Sequence, residues 1–453
     1  MNSLYIKGGR IIDPESGVDG AFDAIVRAGK IEAIVAVGTG RAAQGAEIID
    51  ARGMWVVPGL IDPHVHLRDP GFPEKETIAS GLRAAAAGGF TAVAAMANTN
   101  PVNDNPDVTR YMLERAKEAH GARLHPVSAV TKGLGGAELA DFAAMAEAGA
   151  RLFSDDGIPI DDPTILVRAL AAADRLGLAV SLHEEDRELS RGGALNKGQI
   201  AEALGVSGYS NEAEFARIAR DLEFVPRHCS AIHLAHLSTA ESFDLVRDAR
   251  VRYIRATCEV TPHHFTLSEN AALTWGPNAK MNPPLRVRAD TDAVRAAIAD
   301  ETVDMIASDH APHDPKSKQL EMLAAHFAPG AEPRKLSDAE VDAFNHAANG
   351  VVGLETSLGL ALGLVHQSLI DAPRLVELMA VNPAELLGFA NYGLTRGAAA
   401  DITIIDPNLE WTVDPEKFLS KSRNTPFAGM RLKGKALMTI VGGEIVFDGR
   451  RGR

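Results

Sequence analysis

Short hydrophobic runs alternate with amphipathic stretches along the middle of this 453-residue chain. The stretches between the runs are rich in Ala, Leu, Glu and Arg and have helical spacing. The alternation predicts parallel strands joined by helical crossovers. The predicted strands span residues 54–61, 90–97, 123–130, 151–154, 179–182, 231–235, 255–260 and 304–307, with helices at 77–87, 137–147, 163–176, 211–222 and 239–247. Eight such strands predict an α/β fold, a (β/α)8 TIM-like barrel.

Signals at the ends of these elements favour the barrel over an open, doubly wound sheet. The open sheet usually has a Gly-rich phosphate-binding turn after its first strand, and the sequence has none there.

Ser210 or Asn211 is a typical N-cap for the helix at 211–222, and Glu214 stands where a capping box needs it.

Both ends of the chain have a different pattern, with short strands separated by Gly, Pro and Asp. The C-terminal end has strand-like runs at 400–407, 436–441 and 444–447, and Gly442-Gly443 joins the last two as in a hairpin. We expect the two ends to pair. The prediction is a small β-sandwich domain from residues 1–57 together with 393–453, and a barrel domain from residues 58–392.

Composition excludes several classes of partner. The net charge of −14 is the opposite of what a nucleic-acid or anionic-membrane surface attracts. No apolar run reaches the ~18 residues of a membrane span, and the first residues lack the apolar core of a secretory signal. Cys229 and Cys258 are too few for a disulfide framework and are expected to be small buried hydrophobic residues. We therefore expect a cytoplasmic protein that binds neither nucleic acid nor membrane.

Polar side chains recur where the predicted strands end. His64 and His66 follow the first strand with a spacing of two, which places both imidazoles on one face. Four later strands also end in His or Asp, and these residues are Asp155, Asp156, His183, His233, His236, Asp309, His310 and His313. The carboxyl ends of barrel strands meet at one face, where catalytic groups lie. Any one strand could carry only a polar rim, but five of them together indicate a site.

Four imidazoles and two carboxylates form the donor set that two zinc-like ions require. Two cations that share one water lower its pKa, hold hydroxide at neutral pH and polarise the carbonyl group under attack. A carboxylate that contacts metal and nucleophile can take the proton and later deliver it to a leaving nitrogen. Asp309 on the last strand is the candidate for that carboxylate. The pattern indicates metal-dependent hydrolysis.

A series of motifs carries a resemblance to a known family. In chain order they are PGLIDPHVHLRDPG, MANTNP, FSDDG, HEED, HLAHLST, TPHHF, KMNPPLR and SDHAPH, followed by GAAADITIIDP and SRNTPFAGMRLKG. From residue 11 to residue 449 the chain resembles the dihydroorotases of the amidohydrolase superfamily, of the type in which an aspartate bridges the metals. The HxH motif is shared across the superfamily, whereas HVHLRDPG together with KMNPPLR is much more specific.

The resemblance implies a role for individual residues. It implies six metal ligands, which are His64, His66, Asp156, His183, His236 and Asp309. Two Zn²⁺ ions per chain would be bridged by Asp156, and Asp309 would also be the proton shuttle. It implies four substrate-binding residues, which are Arg68, Asn98, Asn282 and His313. Arg68 offers a planar fork for a substrate carboxylate.

Other polar residues near these motifs are interpreted as structural or supporting. Asp155 is expected to have a capping role or to support a metal ligand, and Lys132 is a structural lysine, not a carbamylated metal bridge. We expect His233, His263, His264 and His310 to be structural or to orient the metal ligands. Residues 184–186 are expected to form a solvated or capping cluster.

The activity implied by the resemblance is zinc-dependent interconversion of L-dihydroorotate and N-carbamoyl-L-aspartate in pyrimidine biosynthesis. A metal-bridging hydroxide would attack the ring amide carbonyl. One alternative is another cyclic ureide or imide hydrolase, allantoinase- or hydantoinase-like, although Arg68 favours a carboxylated substrate. A non-catalytic paralogue that binds a transcarbamoylase is a further alternative, but the chain retains all six ligands. The expected partners are a small-molecule substrate, a second copy in a homodimer and, as an option, aspartate transcarbamoylase.

The sequence departs from the family's usual pattern on the substrate side. Ala97 stands where the family usually has Pro, and residues 347–353 replace the more usual Ala-Pro-Phe-Gly. The segment 316–345 is longer and more polar than its counterpart in the family, which predicts a lid or a subunit contact. These departures affect the expected substrate and not the expected metal ligands.

Overall fold

Eight parallel strands form a barrel in the computed structural model, which describes residues 3–225, 231–327 and 334–450. In order around the sheet they are Leu60–Val65, Phe90–Ala95, Arg123–Ser128, Leu152–Phe153, Val180–Leu182, Ile232–Leu234, Ala256–Val260 and Met305–Ile306. A parallel bridge between Val65 and His310 connects the first strand to the segment after the eighth. The predicted barrel is confirmed.

Helices follow most of the barrel strands. The α-helices are Ile78–Gly88, Pro106–Lys117, Phe142–Ala148, Pro163–Asp174, Arg187–Ser190, Gln199–Leu204, Glu212–Phe224, Ala240–Val251, Pro262–Thr266, Ala271–Trp275, Arg288–Ala299, Leu320–Leu323, Asp338–His346, Ser357–His366, Ala372–Val376 and Asn382–Leu386. Single turns of 3₁₀-helix lie at Lys132–Leu134, Gly276–Ala279 and Pro415–Lys417, and a π-helical turn lies at Glu377–Val381. Among the described residues, none of the helices combines the length and the apolar composition that a membrane span requires.

The first helix has clear local reasons for its ends. Thr77 caps its start, and its hydroxyl accepts a hydrogen bond from the backbone N–H of Ser80, whose own side chain returns the contact in a capping box. Gly89 ends the helix at a φ of 96°, a left-handed conformation that glycine adopts without strain. The helix therefore turns sharply into the second barrel strand, which begins at Phe90.

The predicted first strand, residues 54–61, is two strands. Trp55–Pro58 pairs with the terminal sheet, whereas Leu60–Val65 pairs with the second barrel strand. Gly59 lies between them, and a Cβ there would stand 2.1 Å from the hydroxyl of Thr91. A continuous hydrophobic run hides this break, because both strands are buried on both sides.

Both chain ends contribute to one additional sheet. Its strands are Leu4–Asp13, Val18–Arg27, Lys30–Ala36, Glu47–Asp50, Trp55–Pro58, Ile402–Thr412, Arg431–Val441 and Glu444–Asp448. Apolar side chains from both ends, such as Ile6 and Ile404, share one buried cluster. The expected pairing of the ends is thus present, and the division at residues 57 and 393 stays a proposal.

Two smaller expectations have different outcomes. Ser210 supports the start of the helix at Glu212, because its hydroxyl accepts a hydrogen bond from the backbone N–H of Glu212, whereas Asn211 makes no side-chain cap bond. Glu214 does not form the predicted capping box, because its carboxylate accepts from the backbone N–H groups of Ser238 and Thr239 instead. A tertiary partner has replaced the local one. Cys258 is buried in the barrel core as predicted, whereas Cys229 lies outside the described residues.

The segment after His313 is anchored where it is described. Leu323 and Phe344, from its two helices, pack with Leu204 and Leu285 in a small apolar core beside the barrel mouth. Residues 328–333 of the segment lie outside the described part of the chain. The described part of the segment is therefore packed against the rest of the chain, and its role as a lid or a subunit contact stays a prediction.

Candidate active site

The six residues predicted as metal ligands lie together at the carboxyl ends of five barrel strands. His64 is the penultimate residue of the first strand, and His66 follows that strand directly. The other four lie just beyond the ends of their strands, and they are Asp156, His183, His236 and Asp309. All six are buried, none being more than 7% exposed. The barrel brings distant parts of the chain to one point.

Two groups of donor atoms meet at Asp156. In one group, Nε2 of His64 and Nε2 of His66 each lie 3.5 Å from the Asp156 carboxylate. In the other, Nε2 of His236 lies 3.4 Å and Nδ1 of His183 lies 3.9 Å from Oδ1 of the same carboxylate. Within each group the donor atoms all lie within 4.8 Å of one another. Asp156 stands between the two groups.

Asp309 completes the first group from the last strand. Its Oδ1 lies 3.1 Å from Nε2 of His66 and 3.7 Å from Nε2 of His64. Burial by itself raises the pKa of Asp309, but the hydrogen bond from His66 and the charge of His64 outweigh it and hold that pKa far below its usual range. The carboxylate is therefore ionised at neutral pH.

The donor set fits metal ions. Nε2 of His64 and Oδ1 of Asp156 are buried, and neither has a hydrogen-bond partner among the described residues. Buried polar atoms without a partner are costly, and a cation between them would satisfy both. Imidazole nitrogens and carboxylate oxygens are typical zinc ligands. These residues could hold a metal in each group.

Three residues of the site have strained backbones. Arg68, His236 and Asp309 have φ values of 59°, 38° and 45°, in the left-handed region that residues with side chains rarely adopt. Such conformations persist only where the surrounding structure enforces them, and they cluster at functional sites. Each of these three residues lines the same cavity.

A cavity of about 250 Å³ opens onto this cluster. Its lining includes all four residues predicted to bind substrate, which are Arg68, Asn98, Asn282 and His313. Nη2 of Arg68 lies 3.2 Å from Nε2 of His313. Burial lowers the pKa of Arg68 to about 10, which leaves the guanidinium charged at neutral pH. The cavity can therefore hold a small anion beside the metal-ligand cluster.

Two of these four residues also contact metal-ligand candidates. The Asn98 side-chain oxygen lies 2.9 Å from Nδ1 of His66 and accepts a hydrogen bond from it, so that Nε2 faces the cluster. The Asn282 amide donates to Glu185, whose carboxylate lies 3.1 Å from Nε2 of His183. Both asparagines therefore orient histidines as well as line the cavity.

Comparison with known proteins gives the family. A family model described as Dihydro-orotase-like matches residues 53–242. Proteins named dihydroorotase from Geobacter metallireducens and Syntrophus aciditrophicus are 45% and 44% identical to the chain, over 98% of this chain and 99% of each relative. The chain belongs to the dihydroorotase family. It is therefore an enzyme, a cyclic amidohydrolase, as the sequence predicted.

Solved structures agree with the barrel and the additional sheet. An L-hydantoinase (dihydropyrimidinase) from Arthrobacter aurescens is similar with a TM-score of 0.84 at 23% identity, over 99% of this chain and 97% of the neighbour. A D-hydantoinase is similar with a TM-score of 0.81 at 22% identity, over 99% and 96%. At this identity the likeness shows the fold alone.

Three buried carboxylates that sequence reasoning missed support the site of this dihydroorotase-family chain. Glu259 lies 2.7 Å from Nδ1 of His64 and 3.1 Å from Nε2 of His233. Asp62 accepts hydrogen bonds from the backbone N–H groups of His64 and Ser308. The third, Glu76, lies next to His310. A charged residue inside a hydrophobic strand, as in Thr257-Cys258-Glu259-Val260, is the sequence signal that could have identified the first of them.

The residues around the ligands have mixed outcomes. The sequence predicts a solvated or capping cluster at 184–186. Asp186 does cap the helix that starts at Arg187, whereas Glu184 and Glu185 are not solvated, being 3% and 9% exposed. Burial is the main reason that the pKa of Glu184 lies well above its usual value. Asp155 accepts from the backbone N–H groups of Val130 and Thr131 and thus stabilises that turn.

The alternative metal bridge and the remaining histidines lie outside the donor groups. Lys132 is exposed and pairs with Glu138 at the surface. His264 lies between the Thr261 hydroxyl and the Pro283 carbonyl. His263 is 2% exposed, and burial, together with neighbouring His264, holds its pKa well below the usual value.

Proposed function

We propose that this chain is a zinc-dependent dihydroorotase, which interconverts L-dihydroorotate and N-carbamoyl-L-aspartate in pyrimidine biosynthesis. The observation that carries the proposal is one cavity lined by both the clustered His and Asp donors and Arg68. Dihydroorotate is a cyclic ureide with a carboxylate, so it needs hydrolytic groups and an anion-binding group in the same small space. The dihydroorotases named above, 44% to 45% identical over nearly the whole chain, support this substrate.

Two Zn²⁺ ions are proposed, one held by His64, His66 and Asp309 and one by His183 and His236, with Asp156 shared. When bound, such ions supply an acidified water as nucleophile and polarise the carbonyl group of the ring amide. Burial of all six side chains excludes bulk water and strengthens the electrostatic interactions among them. Oδ1 of Asp156, which has no hydrogen-bond partner in the described part of the chain, supports its role as the shared ligand.

Asp309 is proposed as the proton shuttle. Its carboxylate lies beside Nε2 of His64 and of His66, where it would accept the proton of the attacking water and then donate that proton to the ring nitrogen that leaves. Its strained backbone, with φ of 45°, supports a position fixed for this task. Microscopic reversibility gives Asp309 the inverse task in ring closure.

Arg68 is proposed to bind the substrate carboxylate through its planar guanidinium. The amide groups of Asn98 and Asn282 and the ring of His313 would hold the polar edge of the ureide. The chain is further proposed to work in the cytoplasm as a homodimer, with aspartate transcarbamoylase as an optional partner. Size-exclusion chromatography with light scattering, with and without that partner, tests the assembly.

The decisive experiment is hydrolysis of L-dihydroorotate by the zinc-loaded protein, with allantoin and hydantoin assayed alongside. We expect rapid turnover of dihydroorotate that a chelator abolishes. Turnover of another ring alone would overturn the proposed substrate and keep the hydrolytic site. Absence of bound zinc together with absence of turnover would overturn the whole proposal and favour a non-catalytic role.

A further inference from the structure

Two lysines are buried beside the cavity. Lys318 is 0% exposed and Lys280 is 4% exposed, although lysine is rarely buried in proteins. Burial lowers the pKa of Lys280 to about 8, and it lowers the pKa of Lys318 well below its ordinary value. Placing two ammonium groups there costs free energy, so their contacts must offset that cost.

Those contacts are backbone carbonyl groups of one short segment, residues 345–350. The Lys318 ammonium lies 2.8 Å from the carbonyl oxygen of Ala348 and 3.0 Å from that of Gly350. The Lys280 ammonium lies 2.7 Å from the carbonyl oxygen of Asn345 and 2.6 Å from that of Ala347. Four carbonyl groups of the segment are thus held by two side chains.

The two lysines are also connected to each other. The Lys318 ammonium lies 3.2 Å from the backbone carbonyl of Lys280, which accepts a second hydrogen bond from the N–H of Gly350. An ammonium group has three N–H donors, so Lys318 can serve each of its three carbonyl partners. Lys280 lies just before Asn282, and the lysines therefore join the Asn282 wall of the cavity to the Gly350 wall.

The held segment in turn fixes a proposed substrate contact. The carbonyl of Asn349 accepts a hydrogen bond from Nε2 of His313 at 2.8 Å. Nε2 of His313 also lies 3.2 Å from Nη2 of Arg68, whereas Nδ1 is buried and has no partner among the described residues. Gly350 approaches the site closely, since a Cβ there would stand 2.4 Å from that of Ala311. Small shifts of the segment would therefore move His313.

We propose that Lys280 and Lys318 are positioning residues, which hold residues 345–350 in place and thereby set the position of the His313 ring for substrate binding. The inference rests on the proposed function insofar as His313 contacts the substrate. Its structural part does not depend on which ring is hydrolysed.

The test compares two substitutions of the same residue type in the same segment. Lys318→Met keeps the aliphatic stem and removes the three donors, whereas the exposed Lys316 gives Lys316→Met as the matched control. Two readouts are measured on the zinc-loaded protein, hydrogen exchange of the Gly350 amide and the kinetics of L-dihydroorotate hydrolysis. Bound zinc is measured in each variant to exclude damage at the metal ligands.

For Lys318→Met we expect about ten-fold faster exchange at Gly350 and about a ten-fold higher KM, because charged hydrogen bonds are lost. A change in KM with little change in kcat is the sign of lost substrate binding. Zinc content should be unchanged, and Lys316→Met should behave as the wild type.

Unchanged hydrogen exchange at Gly350 in folded Lys318→Met would show that the lysine does not hold residues 345–350 in place. Faster exchange with an unchanged KM would show that this contact does not affect substrate binding. If Lys318→Met does not fold, Lys318→Gln, which retains an amide donor, takes its place with the same expectations. If the wild-type protein does not hydrolyse dihydroorotate, the proposed function fails, and hydrogen exchange at Gly350 alone tests whether Lys318 holds residues 345–350 in place.

Discussion

Oε1 of Glu259 lies 2.7 Å from Nδ1 of His64 inside the barrel, where both residues are at most 1% exposed. The carboxylate accepts a hydrogen bond from the Nδ1–H group of His64, and Nε2 of the same ring faces Asp156 and Asp309. Burial raises the pKa of Glu259, but the charge of His64 and the hydrogen bonds from His233 and His64 outweigh it and lower that pKa to about 2. Glu259 is thus an ionised support for a proposed metal ligand.

Glu259→Gln should weaken metal binding without removing a ligand. The amide can still face His64 but no longer offers a charged acceptor, so the imidazole is less basic and less firmly oriented. Loss of such a supporting partner typically costs about 10- to 100-fold in metal affinity or activity. Competition for zinc with a fluorescent chelator measures the affinity. Unchanged affinity in a folded variant would contradict the role given to Glu259.

Asp309→Asn should abolish turnover while the fold remains. The amide is nearly the same size as the carboxylate, but it cannot accept the proton that the reaction requires. Circular dichroism and the thermal midpoint check the fold, and single-turnover hydrolysis of dihydroorotate checks the chemistry. Activity near that of the wild type would rule out Asp309 as proton shuttle.

Removal of metal should abolish activity and lower the thermal midpoint. Four imidazoles and two carboxylates would then face one another without a cation, and a ligand that binds only the folded state stabilises that state. Dialysis against a chelator followed by metal analysis and calorimetry measures both effects. Added Zn²⁺ should restore both, whereas full activity of metal-free protein would refute the zinc proposal.

The sequence predicts the strand order of the barrel and the placement of His64 and His66, because local hydrophobic patterns and a spacing of two encode both. It does not reveal that Gly59 divides the first run, because each half is buried and only the pairing partner differs. Glu214 satisfies the local rule for a capping box, yet partners far along the chain take its carboxylate. Contacts between distant segments, such as Lys318 with Gly350, have no local signal at all.

Arg68→Ala should raise KM for L-dihydroorotate far more than it lowers kcat. The guanidinium is proposed to hold the substrate carboxylate, and loss of a charged hydrogen-bonded contact costs about 1.5–3 kcal/mol, or about 10- to 100-fold. Steady-state kinetics measure this split. Arg83→Ala, at an exposed arginine of the first helix, is the control. An unchanged KM would show that Arg68 does not hold the carboxylate.

Glu214 and Arg286 form a buried ion pair that should govern acid stability. Glu214 is 1% and Arg286 2% exposed, and Nη2 of Arg286 lies 3.3 Å from Oε2 of Glu214. Burial raises the pKa of Glu214, but the charge of Arg286 and the hydrogen bonds from Ser238 and Ser242 lower that pKa by a larger amount, so that its net shift is downward. Glu214→Gln leaves the guanidinium without its charge partner and should destabilise the fold by about 3–5 kcal/mol at pH 7.

The sign of the pH dependence follows from the lowered pKa of Glu214. The folded state stabilises the ionised form of the Glu214 carboxylate more than the unfolded state does. The ion pair therefore makes its full contribution to the stability of the fold above the ordinary pKa of 4.5. As the pH falls below that value and through the folded-state pKa, the wild type should lose this contribution. Urea unfolding at a series of pH values should therefore show wild type and Glu214→Gln converging in acid. Glu212→Gln, at an exposed position of the same helix, should follow the wild type throughout, and a gap that stays constant with pH would contradict the ion-pair account.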